Sequence, residues 1–489
     1  MTSLLDTPDP AAPVAPAPSP APPRTRGRAR SAPVWLAVLA TSLPMFMATL
    51  DNLVMTSALP VIHTDLDASV GDLSWFVNAY TLAFATFMLP AATLGDRWGR
   101  RRVMLAGITV FTLASIGSAL ATSSAVLITT RAFQGLGAAA VLPLSLTLLA
   151  AAVPPARRAM AIGIWGGVSG LGVALGPVIG GSVVEGISWQ AIFWLNVPVA
   201  LVAVPLLWLS VSESFGRRQP VDLRGTVLVG GAVFLGIWAI VHGNDDGWGS
   251  WRVLVPLLVA VALVPAYVVH ARTPSRRDHA VLPLRLFASR SFTVANVIAL
   301  SFTVGMFGAV FLLAQDLQIV MGYSPLEAGL RTLPWTAAPM VVAPIAGALA
   351  SRTGLRALLV PGLLLQTLSL VWMAVVTENG SSYAALVPGL LMAGIGMGLT
   401  FAPNATAVLD GMPEEDFGTA SSANSTIREF GVALGVALLT AVFLGHGGEL
   451  TPTGYDGAIG PALLVGAATV AVATVAAFFV PALSRPARA

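Results

Sequence analysis

Three ionisable side chains stand inside long apolar stretches of the chain, where a charge is costly. Asp51 and Arg131 each lie within such a stretch, and Asp316 lies in another, between Gln315 and Gln318. A charge at the centre of a bilayer costs about 2.5–3.5 kcal/mol or more and therefore needs a partner or a function. Burial disfavours the charged form of a carboxylate, which makes Asp51 a candidate proton carrier and Asp316 a second one.

Other interpretations of these three residues stay open. Asp51 could be a structural carboxylate at a helix end, and Asp316 could be close enough to the outer membrane surface to be solvated. Arg131 is permanently charged, so it needs an acid or a carbonyl group beside it. We expect Asp51 to be that partner. A purely structural pairing would satisfy Arg131 equally well.

The composition places these residues in a membrane protein. Of 489 residues, 56% are hydrophobic and only 10% are charged, with a mean hydropathy of +0.81. Charged residues make up about a quarter of a soluble domain. The net charge of +3 comes from arginines in short loops, which argues against a nucleic-acid partner. The absence of cysteine excludes disulfides, iron–sulfur clusters and thiolate zinc sites.

Apolar runs of roughly 20 residues recur along the chain, and a run of that length crosses about 30 Å of hydrocarbon. We predict about fourteen membrane-spanning helices, near residues 34–60, 73–94, 103–122, 126–150, 160–184, 191–211, 223–241, 253–270, 292–319, 325–350, 357–377, 382–409, 421–444 and 460–482. The loops on one side collect nearly all the arginines, and the positive-inside rule places that side, with both termini, in the cytoplasm. The Pro- and Ala-rich segment 1–33 is expected to be a disordered cytoplasmic tail rather than a signal peptide.

Internal repetition predicts two similar halves. Residues 171–176 read Leu-Gly-Val-Ala-Leu-Gly and residues 430–435 read Phe-Gly-Val-Ala-Leu-Gly, and two further matches keep the same order and spacing. The matched segments are eight spans apart, which predicts two six-helix bundles with two helices inserted between them. The expected division is a tail 1–33, a bundle 34–211, a linker with two helices 212–290, a second bundle 291–482 and a tail 483–489.

The loop between the second and third spans carries a recognisable pattern. Gly95, Asp96, Arg97, Gly99 and Arg100 combine two turn-forming glycines, an acid able to cap the next helix, and arginines that fix the loop to one membrane face. This pattern is similar to the loop signature of the major facilitator superfamily of secondary transporters. The resemblance implies an all-α membrane protein with the major facilitator fold.

The fifth span carries a second pattern. Gly172, Gly176 and Gly180 recur every fourth residue and leave one helix face bare, so that another helix can approach closely. Pro177 and Gly181 complete a Gly-Pro-x-x-Gly-Gly sequence. With segments 50–60, 188–198, 222–225 and 243–250, this sequence resembles the fourteen-helix drug:proton antiporter branch of the superfamily. The resemblance implies export, with this helix sealing the proton path, and roles in proton coupling for Asp51 and Arg131. Gln190 and Ala191 depart from the pattern of the branch.

The remaining polar residues in the spans are assigned more weakly. Arg428 and Glu429, near the start of the thirteenth span, are interpreted as a gate or a helix-end pair. Residues expected to face a substrate cavity are Asn78, Trp165, Gln315, Trp335 and Asn404. Asn78 is neutral where some exporters of the branch carry an acid, which argues against dications as substrates.

We therefore expect a proton-coupled exporter of lipophilic, cationic drugs or antibiotics in a bacterial plasma membrane. Its expected partners are a small-molecule substrate, protons and membrane lipid, and it is expected to be a monomer without a cofactor or a metal. A nutrient:proton symporter would share the fold. A non-transporting sensor also remains open. A membrane enzyme is disfavoured, because the five histidines lie in loops or at span ends without metal-ligand spacing.

Overall fold

The computed structural model describes residues 33–216, 222–273, 280–377, 382–412 and 417–481, and every regular element in these ranges is helical. The all-α prediction is therefore confirmed for the described residues. The two tails predicted at 1–33 and 483–489 lie outside them except for Pro33.

Helices α1 to α7 form what we call the N-terminal bundle. They are α1 Val34–Leu66, α2 Val70–Trp98, α3 Arg100–Ala119, α4 Ser124–Ala152, α5 Pro155–Gly186, α6 Ala191–Trp194 and α7 Asn196–Ser210. A capping box between Ser69 and Asp72 starts α2. Helices α2 and α3 pack against α4, while α1 packs against α5 and α7. This packing brings α1, α3, α4 and α7 together around one interior.

Two helices follow, α8 Leu223–Asp246 and α9 Trp251–Arg272, as the sequence predicts. The side chain of Asp222 accepts a hydrogen bond from the backbone N–H of Gly225, so it caps α8 as expected. Helices α8 and α9 pack against each other.

Helices α10 to α17 form the C-terminal bundle. A short 3₁₀ helix, Leu284–Ala288, leads into α10 Arg290–Ile319, α11 Pro325–Arg331, α12 Leu333–Thr336, α13 Ala338–Thr353, α14 Arg356–Thr377, α15 Tyr383–Leu409, α16 Phe417–Gly445 and α17 Pro452–Ala477. Helix α10 packs against α16 and α17, and α14 packs against α15 and α17. Helix α8 lies against both α2 and α16, so the inserted pair contacts both bundles.

Each predicted span corresponds to a helix or to a run of short helices. Among the described residues, eleven helices are long and apolar enough to cross a membrane, or twelve if the two halves of α2, bent by 48°, form one span. The fifth prediction corresponds to α5, which has 32 residues. The tenth is broken into α11, α12 and α13, and a proline within the first two positions of each explains the breaks, since proline has no backbone N–H to continue a helix.

Glycines set the closest helix contacts near the interior of the N-terminal bundle. A Cβ on Gly135 of α4 would overlap the carbonyl oxygen of Tyr80 on α2, and a Cβ on Gly137 would lie 2.5 Å from the backbone nitrogen of Phe111 on α3. Small residues allow helix backbones to approach at this distance. The contact places Tyr80 next to the turn of α4 that carries Arg131.

Candidate functional site

A buried ion pair joins α1 to α4. The Nη1 atom of Arg131 lies 2.5 Å from Oδ2 of Asp51, and the two side chains are 0% and 2% exposed. The residues are 80 positions apart in the chain. The partner that we expected for Arg131 is therefore in place, whereas a role of the pair in proton coupling stays a prediction.

Two amides bind the other oxygen of the carboxylate. Nε2 of Gln134 and Nδ2 of Asn196 each donate to Oδ1 of Asp51 at 2.7 Å. Both amides also reach Oγ of Ser115, which in turn donates to the carbonyl of Phe193. We did not identify Gln134, Asn196 or Ser115 from the sequence, although an amide inside an apolar span is itself a signal that a buried polar partner is near.

These contacts change the physical description of Asp51. From the sequence we treated it as a carboxylate whose burial alone favours proton binding. In the structure a permanent cation contacts Oδ2 and two amide donors bind Oδ1, so both carboxylate oxygens have partners. Nη2 of Arg131 is buried and has no hydrogen-bond partner among the described residues.

The aromatic ring of Tyr80 packs against the guanidinium of Arg131. The Tyr80 ring centroid lies 4.4 Å from Cζ of Arg131, within cation–π range, and Nε of Arg131 donates to the carbonyl of Phe76 at 3.0 Å. The Tyr80 hydroxyl donates to the carbonyl of Ala48 on α1 at 3.2 Å. Tyr80 also lines the central cavity, so one residue contacts both the guanidinium and that cavity.

The central cavity lies between the two bundles and has a volume of about 820 Å³. Its wall is formed by α1, α2 and α4 on one side and by α10, α12, α13, α15 and α16 on the other, and most of the lining is apolar. Arg428 and Glu429 of α16 are the two charged residues in the described lining. Arg428 and Glu429 lie inside α16, Phe417–Gly445, rather than at its end, and their interpretation as a gate stays a prediction.

Five residues expected in the cavity do not line it in the described part of the chain. They are Asn78, Trp165, Gln315, Trp335 and Asn404. Asn78 donates to Ser74 inside α2, and Trp165 donates to Ser145. Sequence neighbours line the cavity in place of three of them, namely Val77, Thr336 and Ala405. One position along a helix turns a side chain by about 100°, and the sequence alone did not give that rotation.

Asp316 lies apart from the Asp51 network, in the interior of the C-terminal bundle. It is 1% exposed, so the interpretation that it is solvated is wrong. Its Oδ2 atom has no hydrogen-bond partner among the described residues. Tyr455 of α17 donates to the backbone carbonyl of Leu312, one turn before Asp316 on α10. A role of Asp316 in proton coupling stays a prediction.

The loop signature is built differently from its sequence interpretation. Asp96 does not cap α3; its Oδ1 atom accepts a hydrogen bond from Nε of Arg100 at 2.7 Å. The cap is Glu213, whose two carboxylate oxygens accept from the backbone N–H groups of Arg101 and Arg102 at 2.9 and 3.3 Å. Glu213 is 112 residues away from Arg101, so sequence spacing gave no signal for it.

The glycines of the loop have separate roles. Gly99 has a φ of +109°, which favours glycine, and a Cβ on Gly95 would overlap Leu144 of α4. Arg97 is exposed. We call the end of the molecule that carries Arg97 and Arg100 the arginine-rich end.

The glycine face of α5 packs against α1. A Cβ on Gly172 would lie 3.3 Å from Thr49, one on Gly176 would lie 2.6 Å from Leu53, and one on Gly180 would lie 3.0 Å from the backbone of Val54. The close helix approach expected from the spacing is thus present. Whether this helix seals a proton path stays a prediction.

The two bundles are in contact at the end opposite the arginine-rich end. A Cβ on Gly181 would overlap the carbonyl of Pro325, and a Cβ on Gly329 would overlap the carbonyl of Pro177. Nε2 of Gln318 donates to the backbone carbonyl of Ser57 at 3.2 Å. These contacts close the cavity at that end. In the other direction, the cavity lining includes Gly347 of α13 and Ala405 of α15, which lie towards the arginine-rich end.

Among the described residues, no group of three histidine, aspartate or glutamate side chains is arranged to hold a metal ion. The arrangement instead offers a central cavity and, next to it, a buried ion pair in contact with one aromatic side chain. The two bundles meet at one end of the cavity, and the cavity lining extends towards the other end. A site of this kind can hold a small molecule between two bundles.

Comparisons with known proteins agree with this architecture. The chain is 38% identical over 409 residues to the multidrug resistance protein Stp of Mycobacterium tuberculosis (strain CDC 1551 / Oshkosh), covering 83% of this chain and 75% of that protein. It is 33% identical over 420 residues to the tetracenomycin C resistance and export protein of Streptomyces glaucescens, covering 86% and 77% of the two chains.

The fold is also similar to a crystal structure of the peptide transporter POT in complex with sulfate. The TM-score is 0.65 at 18% identity, over 91% of this chain and 95% of that chain, and at this identity the likeness concerns the fold alone. The family model of the Major Facilitator Superfamily matches residues 41–436. Together with the two relatives, this match shows that the chain belongs to the major facilitator superfamily.

Proposed function

We propose that the protein is a proton-driven exporter that moves lipophilic drugs or antibiotics by alternating access. The observation that carries this proposal is the cavity of about 820 Å³ between the bundles, with the ion pair of Asp51 and Arg131 in contact with Tyr80 of its wall. The volume and the apolar lining suit a drug-sized molecule. The similarity to multidrug resistance and antibiotic export proteins supports export over uptake.

The orientation follows from the arginines. The arginine-rich end faces the cytoplasm of a bacterium, with both termini on that side, and the protein resides in the plasma membrane as a monomer. The contacts of Gly181 with Pro325 and of Gln318 with Ser57 then close the outer end, so this conformation loads cargo from the cytoplasm or the inner leaflet. The moving units are the bundles 34–211 and 291–482, with the linker 212–290 between them.

Proton exchange takes place at Asp51. A proton arriving from outside neutralises the carboxylate and weakens its attraction for Arg131, while Gln134 and Asn196 can remain hydrogen-bonded to it. The released guanidinium stays in contact with Tyr80, so its movement changes the cavity wall and lowers the affinity for cargo. Loss of the proton to the cytoplasm restores the ion pair. Asp316 is a second proton-binding group of the same cycle.

The driving force is sufficient for concentrative export. One proton crossing about 100 mV supplies about 2.3 kcal/mol. This free energy sustains roughly a fifty-fold gradient of cargo before any pH difference is added. The proposed cycle does not change the cargo chemically. We therefore expect the protein to release the same compound that it binds.

The test is uptake of a fluorescent drug from the medium into liposomes that contain the purified protein. With the arginine-rich end outside, an imposed acidic interior should drive accumulation inside, and a protonophore should abolish it. Accumulation that survives the protonophore would contradict proton coupling, and accumulation driven by an acidic exterior would favour the symporter. Recovery of a modified compound would favour an enzyme, and binding without flux would favour a sensor.

A further inference from the structure

We propose that Arg428 forms a subsite of the central cavity for an acidic group of the cargo, such as a carboxylate or a phenolate on an aromatic molecule. This inference rests on the proposed function, because it names the class of compound that the cavity binds. Its test below separates binding, which concerns the subsite, from flux, which concerns the proposed function.

Arg428 presents the more accessible charge of the cavity. Its side chain is 33% exposed, against 13% for that of Glu429. Nη2 of Arg428 and Oε1 of Glu429 are 3.9 Å apart, which is too far for a hydrogen bond. The guanidinium lies 5.5 Å from the ring of Phe401, another residue of the wall. Its N–H donors are therefore turned to the cavity.

Two other buried or half-buried arginines of the described chain, Arg131 and Arg101, each have several hydrogen-bond partners. Arg131 binds Asp51, Gln134 and the carbonyl of Phe76. Arg101 donates to the carbonyls of Trp208 and Val211. Arg428 has an ion pair with Glu429 at 3.9 Å but no hydrogen bond among the described residues, so its N–H donors can bind oxygen atoms of a ligand.

The chemistry of the group selects the ligand. A guanidinium offers a planar fork of N–H donors that matches the two oxygens of a carboxylate, and a phenolate oxygen can use one side of the fork. The aromatic walls from Phe307, Phe311 and Phe401 suit a planar ring system beside it. From the sequence we expected cationic cargo. A cationic cargo molecule entering this cavity meets Arg428 before the more deeply buried Glu429. The accessible positive charge therefore favours anionic cargo.

The experiment compares two dyes of one scaffold and opposite charge, fluorescein and rhodamine 123. Fluorescence polarisation measures their binding to detergent-purified protein without a gradient. We expect the wild type to bind fluorescein and Arg428→Gln to lose tenfold or more of that affinity, while its affinity for rhodamine 123 stays or rises. Loss of a hydrogen bond to a charged group corresponds to a loss of about tenfold to a hundredfold. Arg428→Lys, which keeps the charge without the fork, should fall between.

Arg252→Gln is the matched control, since Arg252 is 64% exposed on α9 away from the cavity. Equal loss of both dyes in Arg428→Gln, no loss of either, or no binding of fluorescein by the wild type would overturn the subsite. Arg428→Lys decides the question if the glutamine variant does not fold. Binding of fluorescein without gradient-driven flux of either dye would leave the subsite in place and contradict the proposed function.

Discussion

The ring of Tyr80 covers the guanidinium of Arg131, with 4.4 Å between the ring centroid and Cζ. One face of this side chain meets the charge that holds Asp51, and the same residue belongs to the cavity wall. A displacement of Arg131 therefore cannot leave the cavity unchanged. In the proposed mechanism, this relationship is the route by which a proton bound in the N-terminal bundle alters the binding of cargo between the bundles.

Asp51→Asn should abolish proton-driven efflux while the protein still inserts into the membrane. The amide keeps an acceptor for Arg131 but cannot gain or lose a proton at physiological pH. Accumulation of drug inside inverted vesicles under an imposed pH gradient measures the effect. Asp67→Asn is the matched control, because Asp67 is exposed with a φ of +49°, a conformation that asparagine tolerates. Unchanged efflux by Asp51→Asn would remove this residue from the mechanism.

The ion pair should show strong coupling in a double-mutant cycle. Arg131→Met leaves the Asp51 carboxylate buried without its cation, and loss of one partner of such a pair costs about 3–5 kcal/mol. The double variant Asp51→Asn with Arg131→Met should be more stable than Arg131→Met alone, because no unpaired charge remains. Thermal unfolding in detergent compares the wild type, the two single variants and the double variant. Additive losses would show that the two side chains do not depend on each other.

Tyr80→Phe and Tyr80→Leu should differ in transport. Phenylalanine keeps the ring over Arg131 and loses only the hydroxyl bond to Ala48, so we expect efflux within about twofold of the wild type. Leucine removes a cation–π contact worth about 2 kcal/mol when desolvated, and efflux should fall at least tenfold. The number of protons moved per drug, measured with a pH dye in liposomes, should fall as well. Equal activity of both variants would mean that the ring does not couple the two sites.

Gly181→Ala should shift the protein away from the conformation described above. The added Cβ overlaps the carbonyl of Pro325, whereas the same change at Gly186, in the same helix, meets nothing within 4 Å. Because the chain has no cysteine, Thr336→Cys in the cavity wall can report access without background labelling. Labelling from the arginine-rich end should decrease in Gly181→Ala and labelling from the opposite end should increase. Identical patterns in Gly181→Ala and Gly186→Ala would contradict closure at this contact.

Glu213→Gln should destabilise the loop at the arginine-rich end. The carboxylate accepts hydrogen bonds from the first two N–H groups of α3 beyond Arg100, and loss of a helix cap costs about 0.5–2 kcal/mol. Glutamine keeps one acceptor but loses the charge that the helix N-terminus favours, so the loss should lie in the lower half of this range. Thermal unfolding measures it against Glu449→Gln, an exposed loop residue. Equal stability of the two variants would contradict the capping role.

The amino-acid sequence by itself determined the fold class of the protein and the order of its membrane helices. Runs of about 20 apolar residues define membrane helices because lipid offers no partner to an unpaired backbone group. The high cost of a charge in lipid was enough to single out Asp51, Arg131 and Asp316, since so few ionisable residues occur inside the spans. Glycines every fourth residue indicated the packing face of α5, because periodicity and helix geometry are local properties.

Only the tertiary structure decided which side chains meet. Gln134, Asn196 and Ser115 join Asp51 from three other helices, and Glu213 replaces Asp96 as the cap of α3 over 112 positions of chain. Val77 rather than Asn78 lines the cavity, and Arg428 and Glu429 lie in its wall. The rotation of each helix about its axis and the choice of its neighbours depend on packing against the whole bundle. A shift of one residue turns a side chain by about 100°, which local pattern does not fix.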